Sequence, residues 1–324
     1  MPMRVPATVW HPPAAAKSGT PGCDDRAMLS PFIRLPLALL FVVPVFIAQG
    51  LVWALARRFG KLPVALLSVF IACVLGWAAY ALYARWVERR GAHEFGRAGA
   101  LRELAAGLVI GAALFSAVVG VQALFGAYRL TGWRDDMAVM LIPLCVSFAA
   151  AAIEEIVFRG VVFRLLEESL GTWIALAISA ALFGLGHLTS PGATPLTALA
   201  IALEAGIMLA AAYVLTRRLW LAIGIHAAWN FTQSGIFSVP TSGIPMNGIF
   251  IGSLSGPAWL SGGAFGAEAS VVAVALCTAL GLTLLWLAHR RGHCIAPFWR
   301  RARAAPATAR SPATSGPAAA PSGP

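Results

Sequence analysis

Charge is what this sequence has least of. Only 11% of its 324 residues are Asp, Glu, Lys or Arg, 59% are hydrophobic, and the mean hydropathy is +0.78. A soluble globular domain carries about 25% charged residues, so that class is excluded and the repeated apolar runs mark a polytopic membrane protein. The five cysteines (Cys23, Cys73, Cys145, Cys277 and Cys294) are scattered without a C-x-x-C. This argues against a disulfide framework and a thiolate metal site. There is no H-E-x-x-H, the helical zinc-protease signature. The two halves show no internal repeat of the kind many transporters carry. The chain ends Pro-Ser-Gly-Pro, which is not a CaaX box, so prenylation there is not expected. The net charge of +11 comes from basic residues in short loops and near the termini. That is the positive-inside pattern, and no nucleic-acid partner is expected.

The apolar pattern predicts an all-α bundle of about eight transmembrane helices, over residues 35–56, 62–83, 104–125, 137–170, 172–188, 196–215, 219–237 and 267–288. Residues 1–34, rich in Pro, Ala and Gly, read as a disordered cytoplasmic leader, with Met28 an alternative start to Met1. Residues 35–130 form an N-terminal set of three helices, 131–240 the core, and 241–288 an outer loop with the last helix. Residues 289–324, first basic and then rich in Ala, Pro and Ser, read as a disordered cytoplasmic tail. Eight spans place both termini on one side. With that side cytoplasmic, the outer side keeps only Arg57, Arg58, Lys61, Arg129 and Arg134 of the 24 basic residues. The expected location is a multi-pass position in the bacterial cytoplasmic membrane, both termini inside. The uncharged loop 238–266 then faces outward, and membrane lipid is an obligatory partner.

Against this apolar background, Ala150–Gly160 reads A-A-A-I-E-E-I-V-F-R-G. Each charge in such a stretch costs roughly 2.5 to 3.5 kcal/mol near a bilayer centre. Glu155 and Arg159 are four apart and share a helix face; a packing salt bridge explains them but leaves Glu154 over. Two further pairs recur at helical spacing, Phe183 with His187 and His226 with Asn230. At 1.5 Å per residue, the glutamates and His187 stand about 24 Å from a turn at Leu170–Gly171. The three pairs can therefore meet among helices 4, 5 and 7. Arg164, Glu167 and Glu168 suggest that this turn projects into the headgroups, which puts the acids in the cytoplasmic half. Glu204, on helix 6, matches that depth; a site role and a packing role are equally open.

E-E-x-x-x-R at Glu154–Arg159, F-x-x-x-H at Phe183–His187 and H-x-x-x-N at His226–Asn230, in this order, resemble the CPBP family of intramembrane proteases. That family includes CAAX prenyl endopeptidases and Abi-type bacteriocin-immunity proteins. The resemblance covers about residues 137–237. It implies an endopeptidase acting on a membrane-associated protein or peptide, prenylated, otherwise lipidated or bacteriocin-like. Glu154 and His187 would activate a water, His226 and Asn230 would hold the oxyanion, and Glu155 would orient the site through Arg159 or a histidine, with Phe183 in support. The family has been described both as metalloproteases and as metal-independent glutamate proteases. A divalent metal such as Zn2+ on Glu154, His187 and His226 is therefore one reading, and a metal-free water mechanism the other. A catalytically silent immunity or scaffold protein and a proton-coupled transporter are the competing functions.

Overall fold

The structure is a computed structural model that describes residues 30–304. The first 29 residues and residues 305–324, parts of the expected leader and tail, lie outside the described residues. Among the described residues, six helical stretches are long and apolar enough to span a membrane. They are α1 (Pro31–Phe59), α2 (Lys61–Trp86), α3 (Ala100–Leu124), a long stretch Met137–Thr189, Pro195–Thr216 and Val271–Arg290.

The long stretch is not one rod. Its first part is α4 (Leu141–Glu155), which widens into a π-type run over Ile156–Phe163. Its second part is α5 (Arg164–Gly186), broken at Gly171 by φ 76° and ψ 168°. A side chain at Gly171 would stand 2.7 Å from the backbone nitrogen of Pro297, so only glycine satisfies both the dihedral and the contact. Pro195–Thr216 is α6, interrupted by a π turn at Ala202–Gly206. Next comes α7 (Trp220–Phe231), extended by a π turn over Thr232–Ile236. It falls short of the spanning length but is buried along almost its whole course. Val271–Arg290 is α8.

Small residues set the helix spacing. An added Cβ at Gly107 of α3 would sit 2.5 Å from the Leu221 carbonyl, and one at Gly111 would sit 2.3 Å from that of Ile225. From the other side, Gly224 of α7 meets the Leu104 carbonyl in the same way, at 2.5 Å. This is the close small-residue packing that replaces the hydrophobic drive inside a bilayer. It fixes the height and rotation of α7. Gly184 on α5 likewise lies against Ala198 of α6, and Gly206 of α6 lies against Ala180.

One end of the bundle is tied by charge. Glu88, beyond α2, accepts from Arg34 of α1 at 3.0 Å, Arg164 of α5 at 2.8 Å and Arg90 at 2.6 Å. Arg164 also pairs with Glu168 at 2.9 Å and lies 3.5 Å from Glu94. Arg217 binds Glu167, and Arg218 binds Glu103. Burial works against the charge on Glu88, but Arg164 and Arg90 outweigh it and hold the carboxyl below its usual range.

Three expectations are corrected here. Arg164 and Glu167 do not project outward; they are buried in this network, because unpaired charges at a helix turn are costly where partners are in reach. The first helix begins at Pro31, inside the segment read as leader, and buries Arg34. The tail is ordered to residue 304. His293 lies 2.9 Å from the Leu215 carbonyl, Ile295 accepts from the Thr172 amide, and Phe298–Ala304 is helical.

The opposite end carries a two-stranded antiparallel ribbon, β1 (Tyr128–Trp133) with β2 (Phe250–Leu254). The uncharged loop 238–266 is thus partly built into a sheet.

Candidate active site

Glu154 and the two histidine pairs line one cavity of about 210 Å³, with Glu155 and Arg159 outside its lining. Glu154 comes from α4, Phe183 and His187 from the end of α5, and His226 and Asn230 from α7. The π-type run that begins right after Glu155 lets Arg159 reach back. Its Nη1 donates to Glu155 Oε1 at 2.9 Å, and its Nη2 donates to the carbonyls of Ala205 at 2.9 Å and Gly206 at 3.2 Å. The guanidinium also lies over the Phe183 ring, 4.5 Å from its centre. Such a stacked cation contributes more when desolvated, and Arg159 is 1% exposed.

Both histidines have their tautomer set by the acceptor beside Nδ1. His187 Nδ1 lies 2.9 Å from the Phe183 carbonyl, which can only accept, so the proton sits on Nδ1 and Nε2 keeps its lone pair when the ring is neutral. His226 Nδ1 lies 2.9 Å from Glu155 Oε1 and donates to it. The other ring nitrogen of His226 is 3.9 Å from Glu154 Oε2. That separation is too long for a hydrogen bond and suits a bridging water.

The adjacent glutamates are therefore unlike. Glu155 is fully buried and shared between Arg159 and His226. Glu154 faces the cavity with 20% of its side chain exposed, and its Oε2 has no hydrogen-bond partner among the described residues. Phe183 packs edge-on against Phe158 and lies 4.9 Å, centre to centre, from the His187 ring. It thereby links Arg159 to His187.

Glu204 also lines the cavity, 2% exposed, beside Cys277 of α8. Sequence reasoning passed over Glu268, which precedes α8 and lines the same cavity. Its Oε1 accepts from the Ser242 amide at 2.6 Å. Burial pushes its carboxyl above the usual range, while nearby His187 pulls it down. A signal was available: Glu268 is the sole acid in residues 205–324. Ser190, Thr241, Ser242, Ile244 and Met246 form the rim of the cavity. It therefore opens at the ribbon end of the bundle, away from the charged network and the Gly171 turn.

Residues 136–232 match the family model described as "Type II CAAX prenyl endopeptidase Rce1-like". This segment is an Rce1-like domain of the CPBP family. Neither a curated protein nor a solved structure gives a match. The Rce1-like domain contains all seven motif residues and Glu204, whereas Glu268 is supplied from outside it. The match makes this segment CAAX-protease-like, a family that implies a membrane-associated protein substrate, and the apolar helices make the chain an integral membrane protein. For a metal, the Rce1-like arrangement is a poor fit. Among the described residues no group of three or more His, Cys, Asp or Glu side chains could hold an ion.

Proposed function

We propose that this chain is an intramembrane endopeptidase in which a water held by Glu154 attacks the peptide carbonyl. The observation that carries the reading is the contrast between the two glutamates. Glu155 is fully buried outside the cavity lining, its Oε1 held by Arg159 and His226, while Glu154 lines the cavity with its Oε2 3.9 Å from His226 Nε2.

Glu154 takes the proton of the attacking water, and His187, through its free Nε2, holds the same water. The transition state develops an oxyanion. Asn230 lines the cavity and its carboxamide donates to that oxygen. His226, kept in orientation by Glu155, joins it when protonated at Nε2. Donors fixed in advance in a water-poor site are the largest catalytic term in such reactions. Glu154 then returns the proton to the leaving amine.

The basic network end is the cytoplasmic end, which puts both termini inside a bacterial cytoplasmic membrane. The support is the excess of arginine there: beyond the network, Arg85, Arg89, Arg97, Arg102, Arg290 and Arg291 lie exposed at that end. The test of the function is a comparison of membrane proteomes from cells making the wild type or Glu154→Gln. A precursor should accumulate with the variant. Identical proteomes would contradict protease function and favour a silent scaffold.

A further inference from the structure

We infer that the site takes an internal, non-acidic segment of a membrane-anchored polypeptide presented at the non-cytoplasmic surface, rather than a free C-terminal carboxylate at the cytoplasmic one. The inference rests on the protease reading above and deepens it to a substrate class.

The first observation is the position of the mouth. Arg34, Glu88, Arg164 and Arg217 knit the opposite end shut. The cavity instead meets solvent beside His187, which is half-buried, and Ile244, which is 48% exposed. The segment over it is tied from inside the cavity. Ser242 donates to Glu268, Gly243 donates to the Phe265 carbonyl at 2.7 Å, and Gln233 donates to the Pro240 carbonyl at 2.5 Å. The surrounding surface presents Trp133, 70% exposed, and Trp259, 64% exposed, and loop 238–266 has no charged residue. Aromatic surface flanked by the exposed charges of Arg129, Asp135 and Asp136 rests at the lipid headgroup boundary. A substrate therefore arrives along the membrane surface on that side.

The second observation is the sign of the lining. Glu154, Glu204 and Glu268 face the cavity, and no lysine or arginine lines it. Arg159, the nearest guanidinium, is turned away and spent on Glu155, Phe183 and the α6 carbonyls. Removing a C-terminal tripeptide places a carboxylate a few residues from the scissile bond, and a cationic group would have to receive it. Here it would face carboxyl groups and find no lysine or arginine to receive it in a medium of low dielectric. The rest of the wall is apolar, with Phe183, Ile201, Met208, Leu209 and Trp229, and suits neutral residues.

The test uses N-terminal proteomics on membranes from cells making the full chain or Glu154→Gln. New termini that depend on Glu154 should lie beside a membrane span on the non-cytoplasmic side, without an acid next to the bond. Termini on the cytoplasmic side, or loss of C-terminal tripeptides, would overturn the inference while leaving the protease reading intact. An absence of Glu154-dependent termini would overturn both. A peptide copied from the strongest site is then ended three residues past the bond, as the carboxylate or the amide. The purified protein should cleave the amide at least about tenfold faster, and Glu268→Gln should narrow the gap. Equal rates for the two peptides with the wild type would also overturn the inference.

Discussion

Nδ1 of His226 stands 2.9 Å from Oε1 of Glu155, the same oxygen that receives Nη1 of Arg159 at 2.9 Å. One carboxylate thus anchors α7 and the π-type run of α4 at once. Glu155→Gln leaves Arg159 buried without its counter-charge and loosens His226. Breaking a buried pair by removing one partner costs about 3–5 kcal/mol. We expect a melting temperature well below wild type in detergent, with cleavage lost in parallel. Unchanged melting would show that Glu155 is not the structural partner.

Packing around α7 is equally testable. Gly107→Ala should lower both melting temperature and cleavage, because the new Cβ would lie 2.5 Å from the Leu221 carbonyl; overpacking of this kind costs about 1–3 kcal/mol. Gly120→Ala, on the same helix with nothing within 4 Å, serves as the control. It should melt at least as high as wild type.

The charged network predicts an acid-sensitive fold. Arg164 and Arg90 hold Glu88 below the usual carboxylate range. Its contribution is therefore present above the unfolded-state value, about 4.3, and is lost as the pH falls through the lower folded-state value. Melting temperature measured from pH 7 downward should drop in that window. Glu88→Gln should start lower and show a shallower drop. Parallel curves for the two proteins would contradict this.

Metal dependence follows from the donor geometry. With no three-ligand group among the described residues, purified protein should keep its activity in a chelator and contain metal well below one equivalent. Stoichiometric zinc that disappears in His187→Ala would contradict the metal-free mechanism.

Much of the site could be read from residues alone. Glu155 with Arg159 and Phe183 with His187 are contacts within one turn, so helical spacing reveals them. Convergence of Glu154, His187 and His226 followed from equal depth. What could not be read is set by long-range packing. Glu88 gathers Arg34 and Arg164 across 54 and 76 residues, and only Arg164–Glu168 and Arg90–Glu94 show i,i+4 spacing. The tail packs on Gly171 although its composition suggests a solvated segment. Glu268 carries no motif; a loop brings it to the cavity. The direction of the mouth depended on which end the network closes, and helix-depth arithmetic does not contain that.

The central claim is that Glu154 is the base and Glu155 the anchor. Glu154→Gln keeps shape and hydrogen-bonding capacity but removes the proton acceptor. Loss of a general base lowers rates by about 10²–10⁴-fold. The direct measurement is cleavage of an accumulated precursor by purified Glu154→Gln and wild-type protein, with melting recorded on the same samples. The account predicts cleavage reduced at least about a hundredfold at an unchanged melting temperature. Normal cleavage by Glu154→Gln, or unfolding as severe as that of Glu155→Gln, would contradict it.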